Sequence, residues 1–375
     1  MRILYTAYPL LPVTEESAGG AEQMLLTVER ELAGRGHYTA VAACSGSRVA
    51  GRLVTTGEAP TAPDGFEQRE CEHTERILTH LRSCAGRGRG YDLVHDKSGS
   101  FWRCAAALEI PMLATLHLPR DFYRAELFDS VPPNLFFNCV SGAQARSFAG
   151  LPGMVGAIRN GIAVDRFPFT GRKRDYLLWL GRICEEKGTD VAIAVAHATG
   201  KPLILAGQVY PFSYHQRYFD ERICPHFAAG ASGTTFVDSP SWEQKVELLR
   251  HARALLVPSR CDETSSLVAL EAMACGTPVI AFRRGGIPEL VLEGETGWLV
   301  DTPEQMAEAV ERVGAIRPGR CREHVATSYS AARMADEYEE LYGRVVAVSR
   351  GEPAPLNAED AEGRTGKAKK KHFQK

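Results

Sequence analysis

Short apolar runs alternate with segments of helical period along almost the whole chain, and this alternation restricts the fold more than any other feature. Residues 2–7 read as a strand bounded by Pro9 and Pro12. After a loop that runs to Gly19-Gly20, Leu25, Val28 and Leu32 recur at helical spacing until Gly34 and Gly36 stop the helix, and 38–44 reads as a second strand. Further strands are expected at 92–95, 112–117 and 136–140, the last followed by a helix over 144–148. Between 150 and 174 the chain turns to glycines, prolines, Asn160-Gly161 and a polar cluster, the character of a domain junction. A second alternation then predicts strands at 176–180, 202–206, 235–237, 254–257 and 278–282, with helices at 188–198, 242–251 and 267–274. Thr302-Pro303-Glu304-Gln305 opens another helix with a capping box, and 330–348 is a long amphipathic helix.

Alternation of this kind implies parallel sheets covered on both faces. The expected architecture is α/β, two doubly wound Rossmann-like domains facing each other across a cleft, with ligand sites at the carboxyl ends of both sheets. The expected boundaries are 1–158 for the first domain, 159–329 for the second, 330–349 for a helix crossing back to the first, and 350–375 for a disordered basic tail.

Composition narrows the function. With 44 Lys and Arg against 46 Asp and Glu, the chain lacks the basic balance of a nucleic-acid-binding protein. No apolar stretch approaches the ~20 residues of a membrane span, and the amino terminus runs straight into a strand with no expected secretory leader. The ten cysteines form no CxxC pair, which argues against a zinc ribbon or a dithiol redox site and suits small buried hydrophobes in a reducing cytoplasm. HExxH, GxSxG and a loop DxD are all missing, so no metal and no serine nucleophile is expected.

Four segments can carry chemistry. In the segment from Pro258 to Pro278, a strand, a polar loop, a helix and a Gly276 stop follow in order. Ser266 suits an N-cap, and the amides of Ser266, Leu267 and Val268 would form an anion site at a helix start. Glu263 precedes that helix and Glu271 lies within it, which suits acceptors for sugar hydroxyls on either side of a diphosphate. The same spacing also fits a solvated loop acid and an exposed helix acid. At the end of the strand over 176–180, Arg182 offers a planar fork and Lys187 a mobile point charge, suited to the negative charge that builds on a departing diphosphate. Their alternative is salt bridging to Glu185, Glu186 or Asp190. Gly19-Gly20 before the first helix lets backbone approach a phosphate, but the pattern is not GxGxxG and no acid follows the second strand, so a nicotinamide or flavin cofactor is disfavoured. His117 in Leu116-His117-Leu118-Pro119 ends a strand and reads either as a site residue or as a satisfied structural one.

Together these segments resemble the family-4 retaining glycosyltransferases of the GT-B fold. The resemblance rests on Glu263-x7-Glu271 with Ala272-Met273-Ala274-Cys275-Gly276-Thr277-Pro278-Val279, on Gly285-Gly286-Ile287-Pro288-Glu289 and Gly297-Trp298-Leu299-Val300, on Gly181-Arg182 with Lys187-Gly188, on Asn160-Gly161-Ile162, and on Gly19-Gly20-Ala21-Glu22. It implies transfer of a sugar from a nucleotide diphosphate sugar, a UDP-sugar before GDP-mannose, to an acceptor hydroxyl on a carbohydrate, lipid-linked or small molecule. It implies retained configuration and needs neither metal nor cofactor. Arg182 and Lys187 would bind the donor diphosphate, Glu263 would lie against the donor sugar, and Glu271 would hold the ribose hydroxyls. Gly20 would approach the phosphates and His117 would sit near the transferred sugar. One departure stands out: Thr264-Ser265-Ser266 replaces the Pro-Phe-Gly that many relatives carry after the first Glu. The competing functions are a nucleotide-sugar epimerase or a phosphorylase of similar architecture, and a non-catalytic sugar-nucleotide or glycan binder.

Overall fold

Every residue of Leu93–Asp96, Met112–Thr115, Leu135–Cys139, Ala254–Val257 and Val279–Phe282 is buried. Strands with no solvent face belong in a parallel sheet covered by helices on both sides. The structure, a computed structural model, describes residues 1–17, 19–59, 65–228 and 233–353, so the expected tail lies outside the described residues from 354 on. The chain forms two compact units, Met1–Gly161 with the segment from Ala331 onward, and Ile162–Ser330.

In the first unit the chain runs through β1 (Arg2–Thr6), α1 (Gly20–Gly34), β2 (Tyr38–Ala43), β3 (Arg52–Thr55), α2 (Phe66–Ala85), β4 (Leu93–Asp96), β5 (Met112–Thr115), β6 (Leu135–Cys139), α3 (Gly142–Ser147) and β7 (Met154–Ala157). These seven strands are ordered β3-β2-β1-β4-β5-β6-β7, all parallel. The second unit holds β8 (Leu177–Arg182), α4 (Thr189–Thr199), β9 (Leu203–Gln208), α5 (Ser213–Tyr218), α6 (Pro225–Ala228), β10 (Thr234–Asp238), α7 (Trp242–His251), β11 (Ala254–Val257), α8 (Leu267–Ala274), β12 (Val279–Phe282), α9 (Ile287–Leu290), β13 (Gly297–Val300), α10 (Pro303–Arg312) and α11 (Pro318–Ser328). Its six strands are ordered β10-β9-β8-β11-β12-β13, again parallel. Both orders reverse once, at β1/β4 and at β8/β11, which makes each unit doubly wound.

The sequence reading overlooks the strands β3, β7 and β13 and the helices α2, α5, α6, α9 and α11. β3 is an edge strand with a largely exposed face, and Arg52-Leu53-Val54-Thr55 lacks the apolar run that marks the central strands. α2 has only three buried residues, His73, Ile77 and Leu81, too sparse an apolar stripe over twenty residues to stand out. β8 extends two residues past the expected end and carries Arg182 as its last residue. At Thr302 the cap is formed, but the Gln305 side-chain oxygen accepts from the Asp301 amide at 2.8 Å and not from Thr302, whereas Ser241 and Gln244 form a complete capping box at α7.

The last helix, α12 (Ala331–Ser349), packs on α1 and is tied to the first unit's sheet by a buried polar network. His95 on β4 bonds the Tyr342 hydroxyl through Nδ1 at 2.5 Å and the Thr115 hydroxyl through Nε2 at 2.7 Å. Thr115 donates to Asn138 at 2.8 Å, and Asn138 donates to the Tyr338 hydroxyl at 3.2 Å. Each member satisfies another, so the cost of burying these groups is offset without apolar packing.

Burial keeps His73 and His95 of this unit neutral. His73, on the Thr56 hydroxyl at 2.7 Å, is pushed down to about 4 mainly by burial. His95 is held well below the ordinary imidazole range by burial first and then by Lys97. Both folded values lie under the unfolded one, so the stabilisation is complete above about pH 6.5 and is lost as the pH falls. Each such group costs about 1.4 kcal/mol per pH unit once the unfolded chain takes up its proton. Urea melts between pH 6.5 and 4 should show stability falling with pH, and His73→Gln should flatten that slope by about one proton's worth. An unchanged slope in the variant counts against the assignment.

Candidate active site

The site is built on the switch point of the second unit, where β8 and β11 are neighbours and their loops leave from adjacent carboxyl ends. Ligands of open parallel sheets collect at such a place. β8 delivers exposed Arg182, and a single 3-10 turn, Glu185–Lys187, delivers Lys187. β11 leads through Pro258 to Ser259 and Glu263.

Two glycines bring these loops together. Gly188 has φ +65°, and a Cβ there would lie 2.1 Å from the Pro258 carbonyl oxygen, so only glycine lets the loop after β8 lie against the loop after β11. Gly285 has φ +54°, and its Cβ would lie 2.3 Å from the Glu263 carbonyl oxygen, while the Gly286 amide donates to that same carbonyl at 2.6 Å. Gly285-Gly286, after β12, is thus a backbone clamp on Glu263. The carboxylate is fixed as well: Lys187 Nζ lies 2.5 Å from Glu263 Oε1, and the Ser259 hydroxyl donates to the same oxygen at 2.5 Å. The Trp179 indole donates to the Lys187 carbonyl at 3.2 Å. Burial opposes the Lys187 charge, but the Glu263 carboxylate outweighs it and holds the ammonium above the ordinary lysine range. Lys187 is therefore a permanent cation whose partner is neither Glu185, Glu186 nor Asp190. Asp190 instead accepts from Arg260 at 2.8 Å.

Glu271 on α8 is 3% exposed, which rules out an exposed helix acid. Its Oε1 lies 2.8 Å from Lys245 Nζ on α7, and among the described residues its buried Oε2 has no hydrogen-bond partner. The Lys245 ammonium also sits 4.6 Å from the centre of the Trp242 ring, whose own neighbour is Phe167. Ser266 occupies the N-cap position of α8 with extended backbone, but its side chain makes no capping hydrogen bond, contrary to the usual role of a serine there. Leu267 and Val268 form the first turn of that helix.

In the first unit, Gly19 is the N-cap of α1 and Gly20 its first residue. A Cβ on Gly19 would lie 1.9 Å from Glu22 Oε2, so the Glu22 carboxylate occupies the space beside Gly19 that a side chain would take. Burial raises the Glu22 carboxyl above its ordinary range. His117 follows β5, and its backbone amide and that of Leu118 donate to the Tyr123 hydroxyl at 3.2 and 3.3 Å. Gln144 fastens the same turn by donating to the Leu116 and Leu118 carbonyls at 2.9 Å each. Burial first, then Lys97, pushes the His117 imidazole down to about 3, so it stays neutral and is not a base poised near pH 7.

The structure thus brings Arg182, Lys187 and Glu263 to adjoining loop ends and places Glu271 on the helix that follows. The sequence reading misses Lys245, Ser259 and the space-filling part of Glu22. The first belongs to a separate helix with no motif around it, and its meaning depends on a tertiary contact. Removing it leaves a buried carboxylate without its cation. Lys245→Met should cost about 3 kcal/mol in a urea melt, and adding Glu271→Gln should recover most of that loss. If the double variant is no more stable than the single, the pair is not the cause. Gly285→Ala should cost about 1–3 kcal/mol, from strained backbone and from the clash with Glu263.

Two family models match the chain, one described as Glycosyl transferases group 1 over residues 174–315 and one as Glycosyltransferase Family 4 over residues 18–199. Glycogen synthase from Mycobacterium tuberculosis is 30% identical over 224 residues, covering 54% of this chain and 51% of that protein. D-inositol 3-phosphate glycosyltransferase from Saccharomonospora viridis is 39% identical over 127 residues, 32% of this chain and 29% of that protein. The chain therefore spans about half or less of the length of these curated relatives. Among solved structures, sucrose-phosphate synthase from Thermosynechococcus elongatus superimposes with a TM-score of 0.76 at 20% identity, covering 93% of this chain and 100% of that one. Anabaena HepE in complex with UDP-glucose gives 0.70 at 16% identity, covering 92% and 99%. With the sheet orders described above, these matches make the chain a member of the family-4, group 1 glycosyltransferases, built on the GT-B fold.

Proposed function

We propose that the protein transfers a sugar from a nucleotide diphosphate sugar to an acceptor hydroxyl, with retained anomeric configuration and without a metal at the reacting bond. The observation that carries this reading is the constellation of Arg182, Lys187 and Glu263 on loop ends at the β8/β11 switch point. The complex of HepE with UDP-glucose supports a UDP-sugar as donor here, with GDP-mannose second.

Arg182 and Lys187 take up the charge that gathers on the departing diphosphate. A guanidinium fork and an ammonium already held as a cation need little rearrangement when that charge appears. Lys187 and Ser259 both address Glu263 Oε1, which leaves Oε2 for a hydroxyl of the donor sugar. The uncapped first turn of α8, at Ser266, Leu267 and Val268, adds backbone amides for phosphate oxygens. Glu271 offers its unpartnered Oε2 to a ribose hydroxyl, which supplies the missing donor. The acceptor attacks from the face the diphosphate leaves, and a donor phosphate oxygen receives its proton, so no protein nucleophile is needed. The acceptor is a carbohydrate, a lipid-linked sugar or a small molecule.

Lys187→Ala and Glu263→Gln should each lower turnover roughly a hundredfold or more. Turnover near wild type in both variants would defeat the mechanism. A thermal-shift panel of nucleotides and nucleotide sugars identifies the donor, since a ligand at a hundredfold its Kd adds about 2.7 kcal/mol. Conversion of donor without acceptor would mark an epimerase, release of sugar phosphate from a glycan would mark a phosphorylase, and binding without turnover would mark a non-catalytic module. Adding magnesium or manganese should leave the rate unchanged, and the anomeric configuration of the product, read by NMR, tests retention.

A further inference from the structure

Beside the constellation just described lies a second cluster that the transfer reaction does not use. The ligand atoms of Cys184, Glu186 and His215 all lie within 4.8 Å of one another. Cys184 and Glu186 come from the turn after β8, and His215 comes from α5, which follows β9. His215 is fully buried, and neither ring nitrogen has a hydrogen-bond partner among the described residues. The Glu186 Oε2 atom is likewise buried without a partner. A buried imidazole with both nitrogens unsatisfied is costly, and folded proteins rarely leave one so. Cys184 is buried too; its thiol lies 3.5 Å from the Arg182 carbonyl and also faces the Glu186 carboxylate.

We infer that Cys184, Glu186 and His215 form a binding site for one zinc-class divalent cation. Sulfur, nitrogen and oxygen together suit a borderline-soft metal, whereas magnesium and calcium take oxygen sets. Zinc bonds of about 2.0–2.3 Å in a tetrahedron put ligand atoms about 3.5 Å apart. The trio therefore has to close by about an ångström at its widest pair, a change within reach of side-chain rotation. On binding, the Cys184 thiol loses its proton to solvent and His215 binds as neutral imidazole. The thiolate and carboxylate then cancel the two charges of the ion, so the loaded site is neutral, one charge more positive than the empty site with its Glu186 carboxylate. Three protein ligands leave a fourth position for water. The ion would clip the turn after β8 to the segment after β9, a structural task separate from the bond-breaking chemistry.

The test uses the full chain, stripped with a chelator and titrated with cobalt(II) as the spectroscopic probe and with zinc by calorimetry. Wild-type protein should take up one equivalent, show the near-ultraviolet thiolate-to-cobalt band and the intense visible bands of tetrahedral cobalt, and melt at a higher temperature with zinc. Cys184→Ser should abolish the thiolate band, and His215→Gln and Cys184→Ser should each weaken zinc binding at least tenfold. A wild-type spectrum without the thiolate band, or a band that survives Cys184→Ser, overturns the inference. The wild-type spectrum decides even if a variant fails to fold.

Discussion

The contact between the Lys187 ammonium and the Glu263 carboxylate joins the two loops on which the candidate site of the second unit depends. It is a partly buried pair, and such pairs hold only when both charges are compensated and the remaining hydrogen-bond capacity is filled. Ser259 fills part of it from the same loop as Glu263. The glycines supply the rest indirectly. Gly188 lets the Lys187 turn press against Pro258, and the Gly285-Gly286 backbone grips the Glu263 carbonyl. Three separate stretches of sequence therefore converge on one residue, Glu263. A change at Gly188 or Gly285 would move the charges without touching either one.

The first unit solves a different problem with similar means. Its terminal helix α12 arrives from the far end of the sequence and must be recognised by a sheet made at the beginning. Apolar packing against α1 does part of this, and the chain His95–Thr115–Asn138–Tyr338 adds direction, because hydrogen bonds tolerate fewer alternative registers than methyl groups do. Lys97 lies in the same network, 3.3 Å from the Tyr338 hydroxyl, and its charge helps keep both His95 and His117 neutral. A neutral His117 can offer or accept a hydrogen bond across the pH range in which proteins work.

Much of this was legible in the primary structure where a local rule decides the outcome. The central strands announce themselves because both their faces are apolar, and the helix α10 because its start carries Thr302, Pro303 and Gln305. Edge strand β3 and solvent-facing α2 were illegible for the reciprocal reason: their stability comes from neighbours, and their own composition is that of a loop or a surface. Within the site, Arg182, Lys187, Glu263 and Glu271 could be picked out because each sits at a fixed offset from a strand end or a helix start. Lys245 and Ser259 could not, since nothing local distinguishes a lysine on α7 that reaches a buried acid from one that points into water.

Glu263 and Glu271 show how the same side chain acquires two characters eight residues apart. Glu263 stands in a loop before its helix begins, where backbone geometry is set by outside contacts, and its carboxylate partner is a lysine delivered by another turn. Glu271 stands inside α8, where its position follows from the helix itself, and burial is nearly complete. The first is held at its backbone by the glycine clamp and at one carboxylate oxygen by Lys187 and Ser259. The second is held by Lys245 on one oxygen and waits for a donor on the other. A loop carboxylate thus answers to the side chain that another loop brings to it, and a buried helix carboxylate answers to the packing around its helix.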